Sequence, residues 1–353
     1  GLQPPYAPQN GPLDTVEQLL LVRGVTPELL FGMDVNRNGM VDDFENNGGP
    51  TSIATPGPQA ADTEETTETT SASTGGVAVE GDISRGWSPY LTLFSMERNV
   101  NAQGQPRINL NQTSMKTLHQ QLAAVLPADW AKFIVAYKQN GPFTGTSVTT
   151  GTPPTDGELD LTKAGKTKLV QVLDLIGQKT QVTYTGSQTP TVLDSPFPAD
   201  IGSMGLYLPL LMDNCTVSTA KIIPGRINVN QAPITILAGI PGMTEEILSE
   251  IVNRRDFEPS EDLPNRKFET WIMAEGIVSP EQMKTLMPFL TASGDVFRAQ
   301  LVGYFEGGNA SARTEVVWDA TNAEPRVLFW RDLSHLGRGF ALETLGIELA
   351  ENY

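Results

Sequence analysis

Residues 34–45 run Asp-Val-Asn-Arg-Asn-Gly-Met-Val-Asp-Asp-Phe-Glu, and no other stretch concentrates residue types that could do chemistry at so regular a spacing. Asp34, Asn36 and Asn38 alternate, so three short oxygen-bearing side chains can turn toward one point. Gly39 follows where such a loop must bend sharply, Met40 offers its backbone carbonyl, and Val41 can pin the loop to a core. Asp42 can act through a water, and Glu45 can close the ring with both carboxylate oxygens. A donor set of oxygens, without nitrogen or sulfur, suits a hard divalent cation, and the spacing is that of the twelve-residue calcium loop of an EF-hand. A solvated Asn/Asp turn would account for the polar residues alone; it leaves the glycine at the sixth position and the glutamate at the twelfth unexplained. The expected ligands are therefore Asp34, Asn36, Asn38, the Met40 carbonyl, Asp42 and Glu45, with Ca2+ as the ion. Thr26-Pro27-Glu28-Leu29-Leu30 supplies one capped turn into the loop, and Asn46-Asn47-Gly48-Gly49-Pro50 cuts short any exit helix. Such flanks fit a staple that orders structure rather than a sensor that opens.

Other chemistries find less support. The chain holds two histidines. His119 follows Lys116 on an expected helix and reads as a surface residue. His335 lies in Arg331-Asp332-Leu333-Ser334-His335-Leu336-Gly337, where Asp, Ser and His crowd one short turn, whereas triad members come from separate segments; a hydrogen-bonded turn is expected. No glycine-rich phosphate loop follows a strand, and no His/Cys cluster has zinc spacing. Cys215 is the only cysteine, which excludes an internal disulfide and a thiolate metal site and is expected to be a small, half-buried residue.

Acidic residues outnumber basic ones 41 to 24 in 353 residues, a formal charge of −17. Phosphate binding needs concentrated Lys and Arg, so a nucleic-acid or anionic-membrane surface is disfavoured. No apolar run is long enough to span a membrane and no secretory signal opens the chain, so the expectation is a soluble region, or one whose N-terminal segment is absent.

The elements that would position the loop divide the chain into five expected segments. A first helical unit with the calcium loop covers 1–50. Residues 51–85 form a linker, whose Thr/Glu-rich tract at 51–82 lacks the apolar residues needed to offset ordering entropy. A central α+β region spans 86–224 and contains a polar insertion at 141–157. A helix-hairpin-helix unit covers 225–292 and a C-terminal β-meander 293–353.

Two internal similarities cross these segments. Arg107-Ile108-Asn109-Leu110-Asn111 matches Arg226-Ile227-Asn228-Val229-Asn230, each a short strand leading into a helix, with Asn111 and Asn230 expected as N-caps. Helix, glycine turn and helix recur at 16–30, after the capping-box-like Asp14-Thr15-Val16-Glu17, and at 234–255. In the second copy Thr244 should cap a helix with Ile247, Leu248, Ile251 and Val252 on its apolar face. Ser279-Pro280-Glu281 should open another helix, running to about Met287. From Val296 the period changes: Phe297–Phe305, Ala312–Trp318 and Arg326–Trp330 alternate apolar and polar residues, as strands of an antiparallel meander do.

A helix-hairpin-helix can present the amides of its glycine turn to a DNA phosphate, so a nucleic-acid-binding module is the alternative reading. Glu245 and Glu246 occupy the first turn of its second helix, where they would repel DNA, against Arg254 and Arg255 at the far end. A calcium-dependent scaffold or adhesion module is a third reading.

The order of these features resembles the GspK family, the type II secretion minor pseudopilins. Pro5 to Asp14, then Val16 to Leu30, carry the resemblance in the first helical unit. Ile227-Asn228-Val229-Asn230-Gln231-Ala232-Pro233, Leu237, Ile240-Pro241-Gly242-Met243 and Arg254-Arg255 before Phe257 carry it in the second. The resemblance implies an α+β fold. It would combine a helical (SAM-like, helix-hairpin-helix) region bearing the EF-hand-like loop with a C-terminal antiparallel β-meander of pilin type. It implies a non-enzymatic component of a periplasmic pseudopilus tip, beside minor pseudopilins of the I and J types, with secretion cargo as a further partner and no nucleic acid. Calcium binding would fall on Asp34, Asn36, Asn38, Met40, Asp42 and Glu45. Inner-membrane anchoring would depend on an N-terminal helix, and the early strands of the pilin sheet would lie upstream of Gly1. Neither is in this sequence, and the two long polar tracts are unusual for the family.

Overall fold

The computed structural model describes residues 11–42, 45, 85–145, 157–255, 263–305, 311–341 and 344–346. The tract at 51–82, most of the insertion at 141–157 and the residues following Glu45 lie outside the described residues. The architecture is mixed α+β, with several short helices and open sheets. Chain contacts define two compact units. One comprises residues 1–93, 298–317 and 327–353, the other residues 94–297 and 318–326. No helix among the described residues is long and apolar enough to cross a membrane.

In the first unit, Val16–Leu21 forms a 3-10 helix rather than an α-helix. Thr15 makes no capping bond and no residue of the segment is buried; the Asp14 amide is taken instead by Gln18 Oε1 at 2.8 Å. So short a piece, without a buried stripe, cannot offset the entropy of α-helix nucleation. Helix α1 (Pro27–Phe31) is better specified: Thr26 Oγ1 accepts from the Leu29 amide, Pro27 sits in the first turn and Leu30 is fully buried.

The second unit opens with β1 (Met96–Arg98) and β2 (Ile108–Asn109), followed by helices α2 (Met115–Val125) and α3 (Ala128–Asn140). A two-stranded antiparallel pair, β3 (Lys179–Val182) with β4 (Thr191–Asp194), precedes helix α4 (Ile201–Asn214). Then come β5 (Cys215–Thr216), β6 (Ile222–Pro224) and β7 (Ile227–Asn228). Helices α5 (Ile234–Ala238), α6 (Glu245–Arg254), α7 (Trp271–Ala274) and α8 (Pro280–Leu286) lead to β8 (Leu290–Thr291). Strand β1 pairs antiparallel with β6, whereas β2–β5 and β7–β8 are parallel. Ser114, Asp200, Thr244 and Ser279 each accept a backbone amide at a helix start, bonds typically worth about 1 kcal/mol apiece. One apolar core collects Leu118, Leu122, Ile134, Phe197, Leu211, Ile251 and Trp271, all fully buried. Trp130 meets Phe197 edge-on, with ring centroids 5.0 Å apart.

The Arg-Ile-Asn repeat has a common geometry. Asn109 Oδ1 accepts from the Asn111 amide at 2.8 Å, and Asn228 Oδ1 from the Asn230 amide at 2.9 Å. The amides of Leu110 and Val229, both fully buried, donate at 2.8 Å to the carbonyls of Thr216 and Thr291 on the partner strands. The expected N-cap role is corrected: Ser114 and Pro233 occupy the N-cap positions. Asn111 and Asn230 instead reach across the fold, Nδ2 donating to the Leu169 carbonyl at 2.8 Å and to the Arg266 carbonyl at 2.9 Å. An N-cap must immediately precede the first helical turn, and two residues separate each asparagine from that position.

Near β7, Glu97 and Glu269 are buried around Arg226. Arg226 Nε donates to Glu97 Oε1 at 2.5 Å and Nη1 to Glu269 Oε1 at 3.0 Å, while Thr291 Oγ1 donates to Glu97 Oε2 at 2.8 Å. Burial disfavours the guanidinium charge, but Glu269 and Glu97 outweigh it and raise the Arg226 pKa above its ordinary value.

The C-terminal sheet has the order β11 (Arg326–Asp332), β10 (Ser311–Asp319), β9 (Val296–Tyr304). Its connections are too short for a parallel crossover, so it is an antiparallel meander. Its burial inverts the usual alternation: Arg313, Glu315 and Val317 share a buried face of β10, while Leu301 and Trp330 are about half exposed or more.

Candidate metal centre

The loop at 34–42 and Glu45 belong to the first unit. Arg37 and Gly39, the fourth and sixth loop positions, are both left-handed, at φ 58° and 83°. Left-handed residues turn the chain back on itself, so successive amides and side chains point inward. Asp34 Oδ1 accepts from the Asn38 amide at 3.0 Å and Oδ2 from the Gly39 amide at 2.9 Å. Asn36 Oδ1 accepts from the Asn38 amide at 2.9 Å, and Asn38 Oδ1 from the Met40 amide at 2.7 Å. Glu45 reaches back with Oε1 to the Asn36 amide at 3.0 Å and Oε2 to the Asp42 amide at 3.1 Å. The carboxamides of Asn36 and Asn38 meet at Asp42 Oδ2, at 2.8 and 3.0 Å.

The structure thus brings Asp34, Asn36, Asn38, Asp42 and Glu45 into one hydrogen-bonded ring, with Met40 on its exposed rim. Asp34, Asn36 and Glu45 are buried. Burial, with a contribution from Glu45, raises the Asp34 pKa above its ordinary value against the pull of the Gly39 and Asn38 amides. Among the described residues no three His, Cys, Asp or Glu side chains converge as a metal centre. The inward set instead mixes carboxylates with carboxamides, and both carboxamides present nitrogen to Asp42. In donor type and loop path the residues fit a hard dication; each carboxamide would have to turn its oxygen inward to ligate one.

The neighbours of the loop carry no local sequence signal. Arg85 Nη1 donates to the Gly39 carbonyl at 3.2 Å, Gln300 Nε2 to the Arg37 carbonyl at 2.7 Å, Arg313 Nη2 to the Asn36 carbonyl, and Asn38 Nδ2 to the Gly339 carbonyl. The guanidinium of Arg37 lies 4.2 Å from the Phe31 ring centroid. A cavity of about 770 Å³ opens beside the loop, with Asn36, Asp42 and Glu45 on one wall and His335, Arg338 and Phe340 on another. Strand alternation could have flagged only Arg313 and Glu315, as charged residues in phase with Val317.

Asp332 Oδ1 accepts from the Ser334 amide at 2.8 Å and Ser334 Oγ from the Arg313 amide at 3.1 Å, the turn expected around His335. Cys215 is fully rather than half buried, because β5 runs against the core, and burial pushes its thiol up to about 12. In α6, Glu245 and Glu246 lie in the first turn, Arg254 pairs with Glu250 at 2.5 Å and Arg255 Nη1 donates to the Ala232 carbonyl at 2.5 Å. No protein-family model matches this chain, and no curated protein or solved structure matches it either.

Proposed function

We propose that the chain is a non-enzymatic architectural component of a type II secretion pseudopilus, of the GspK kind, acting near its tip and ordered by one calcium ion. The observation that carries this reading is the path of residues 34–42, with left-handed residues at the fourth and sixth positions and the side chains of Asp34, Asn36, Asn38, Asp42 and Glu45 in one ring. Calcium would be held by Asp34, Asn36, Asn38, the Met40 carbonyl, Asp42 and Glu45, and would supply charge neutralisation to a buried acidic loop. Helices α5 and α6 with their glycine turn support the SAM-like, helix-hairpin-helix part of the reading, and the meander supports the pilin-type part.

In this reading the partners are minor pseudopilins of the I and J types and, beyond them, secretion cargo. The site of action is the periplasm, with anchoring in the inner membrane through a helix outside this chain. The nucleic-acid alternative is disfavoured by Glu245 and Glu246 beside the turn amides and by the engaged side chains of Arg254 and Arg255.

Two measurements test the proposal. Chelation should lower the melting temperature, and Asp34→Ala should abolish that dependence; unchanged melting under chelation removes the metal. Co-purification with I- and J-type minor pseudopilins tests the assembly role, and failure to bind either one, with calcium present, refutes it.

A further inference from the structure

Arg313 is among the largest fully buried side chains in the structure. Its Nη2 donates to the carbonyl of Asn36, the third position of the candidate loop. Nε and Nη1 find no hydrogen-bond partner among the described residues. Glu315, two residues along the same strand, is taken by Arg298 and Arg331. A guanidinium stays charged even where burial works against it, so this positive charge is held in the interior with the Asp34 carboxylate among its attractive neighbours. The chain makes room for it deliberately: Gly339 lies at φ +77°, and a Cβ there would collide with Nη1. The same glycine's carbonyl accepts from Asn38, so one backbone turn walls in the arginine and touches the loop.

We infer that Arg313 is a resident counter-cation of the 34–45 loop, offsetting its carboxylates in the absence of metal and lowering its calcium affinity by charge repulsion. The inference rests on the reading of that loop as a calcium site. Without an ion, the Asp34 and Glu45 carboxylates share one ring and repel one another. A fixed positive charge beside them reduces that repulsion. A dication entering the ring meets the same positive charge across a poorly screening interior, and its binding is weakened. The metal-free loop is therefore less strained by its own charge, though still less stable than with calcium, while the affinity is set below what its oxygens alone would give.

The experiment is calcium titration by calorimetry, with thermal melts in calcium and in chelator, on the 353-residue chain and two variants. Arg313→Met removes the charge and keeps much of the bulk; Arg313→Lys keeps the charge and loses the planar fork. Arg313→Met should bind calcium roughly tenfold tighter or more, and should melt lower than the parent in chelator. Arg313→Lys should stay within about threefold of the parent affinity. Should Arg313→Met fail to fold even with calcium, Arg313→Gln serves as the neutral variant. Weaker binding by both the neutral and the lysine variant would make Arg313 a positioning residue and overturn the inference. Unchanged affinity in the neutral variant overturns it equally. If parent and variants all ignore calcium, the loop reading itself falls and takes the inference with it; if the neutral variant alone binds, both stand.

Discussion

The backbone amide of Gly39 donates to Asp34 Oδ2 at 2.9 Å, closing a turn six residues long that is available because Gly39 lies at φ +83°. Among the described residues, beyond its chain neighbours, no atom lies within 4 Å of where a Cβ would stand. Gly39→Ala therefore introduces backbone strain without a steric clash. The expected loss is about 1–2 kcal/mol, seen as a lower midpoint in urea. Because the strained conformation is the one that aims Asp34, calcium titration should also show weaker binding. An alanine variant with parental stability and affinity would mean that the loop does not need this turn.

Arg226 neutralises two carboxylates that the second unit buries. Arg226→Met should destabilise by about 3–5 kcal/mol, because Glu97 and Glu269 would remain in the interior without a cation. Adding Glu97→Gln to that variant should recover part of the loss, since a carboxamide oxygen can still accept from Thr291. Denaturant unfolding of the single and double variants checks both statements; equal midpoints would show that the Glu97 charge is not what is missed.

How far the fold could be read in advance depended on the range of the forces involved. Thr244 and Ser279 were legible as caps because a cap is decided within four residues, and both accept the expected amides. The meander was legible from its period. Asn111 and Asn230 were misplaced because their partners, Leu169 and Arg266, are distant in sequence, and only the assembled fold decides against a cap. Val16–Leu21 lost its α-helical geometry because no stripe of it found cover. Alternation could place Arg313 on a buried face, but its partner was out of reach: burying a charged residue is unfavourable until a specific neighbour, here the Asn36 carbonyl 277 positions away, makes it tolerable. The grouping of residues 298–317 with residues 1–93 in one unit likewise follows contacts that no local pattern announces.

Glu17 and Arg331 give the first unit an acid-sensitive tie. Burial alone would raise the Glu17 pKa, but the hydrogen bond and charge of Arg331 bring it below the ordinary 4.5. A carboxyl held lower in the folded than in the unfolded state contributes stability that is complete above 4.5 and is lost as pH falls through the folded value. In calcium-free buffer, acidification through this range should lower the melting temperature. Glu17→Gln should be less stable than the parent above 4.5 and should converge on it in acid. Parallel curves for the two proteins would exclude Glu17 as a titrating contributor.

The two asparagines of the internal repeat should differ in what they hold. Asn230 makes one long-range bond through Nδ2, and its Oδ1 has no partner among the described residues. Asn111 accepts from both the Leu169 amide at 3.0 Å and Lys138 Nζ at 2.8 Å, besides donating to the Leu169 carbonyl. Lys138 is a buried residue, and burial lowers its pKa below the ordinary 10.5. Without Asn111 its ammonium keeps the Thr167 carbonyl but loses a partner. Asn230→Ala should lose about 1 kcal/mol, and Asn111→Ala roughly 2–3 kcal/mol because it also strands a charge. A lysine whose folded pKa is depressed binds fewer protons folded than unfolded, so stability rises with pH between the folded value and 10.5. The deficit of Asn111→Ala against the parent should therefore narrow as pH climbs through that window, while that of Asn230→Ala stays flat. Two deficits of equal size and equal pH response would show that Lys138 draws nothing from Asn111.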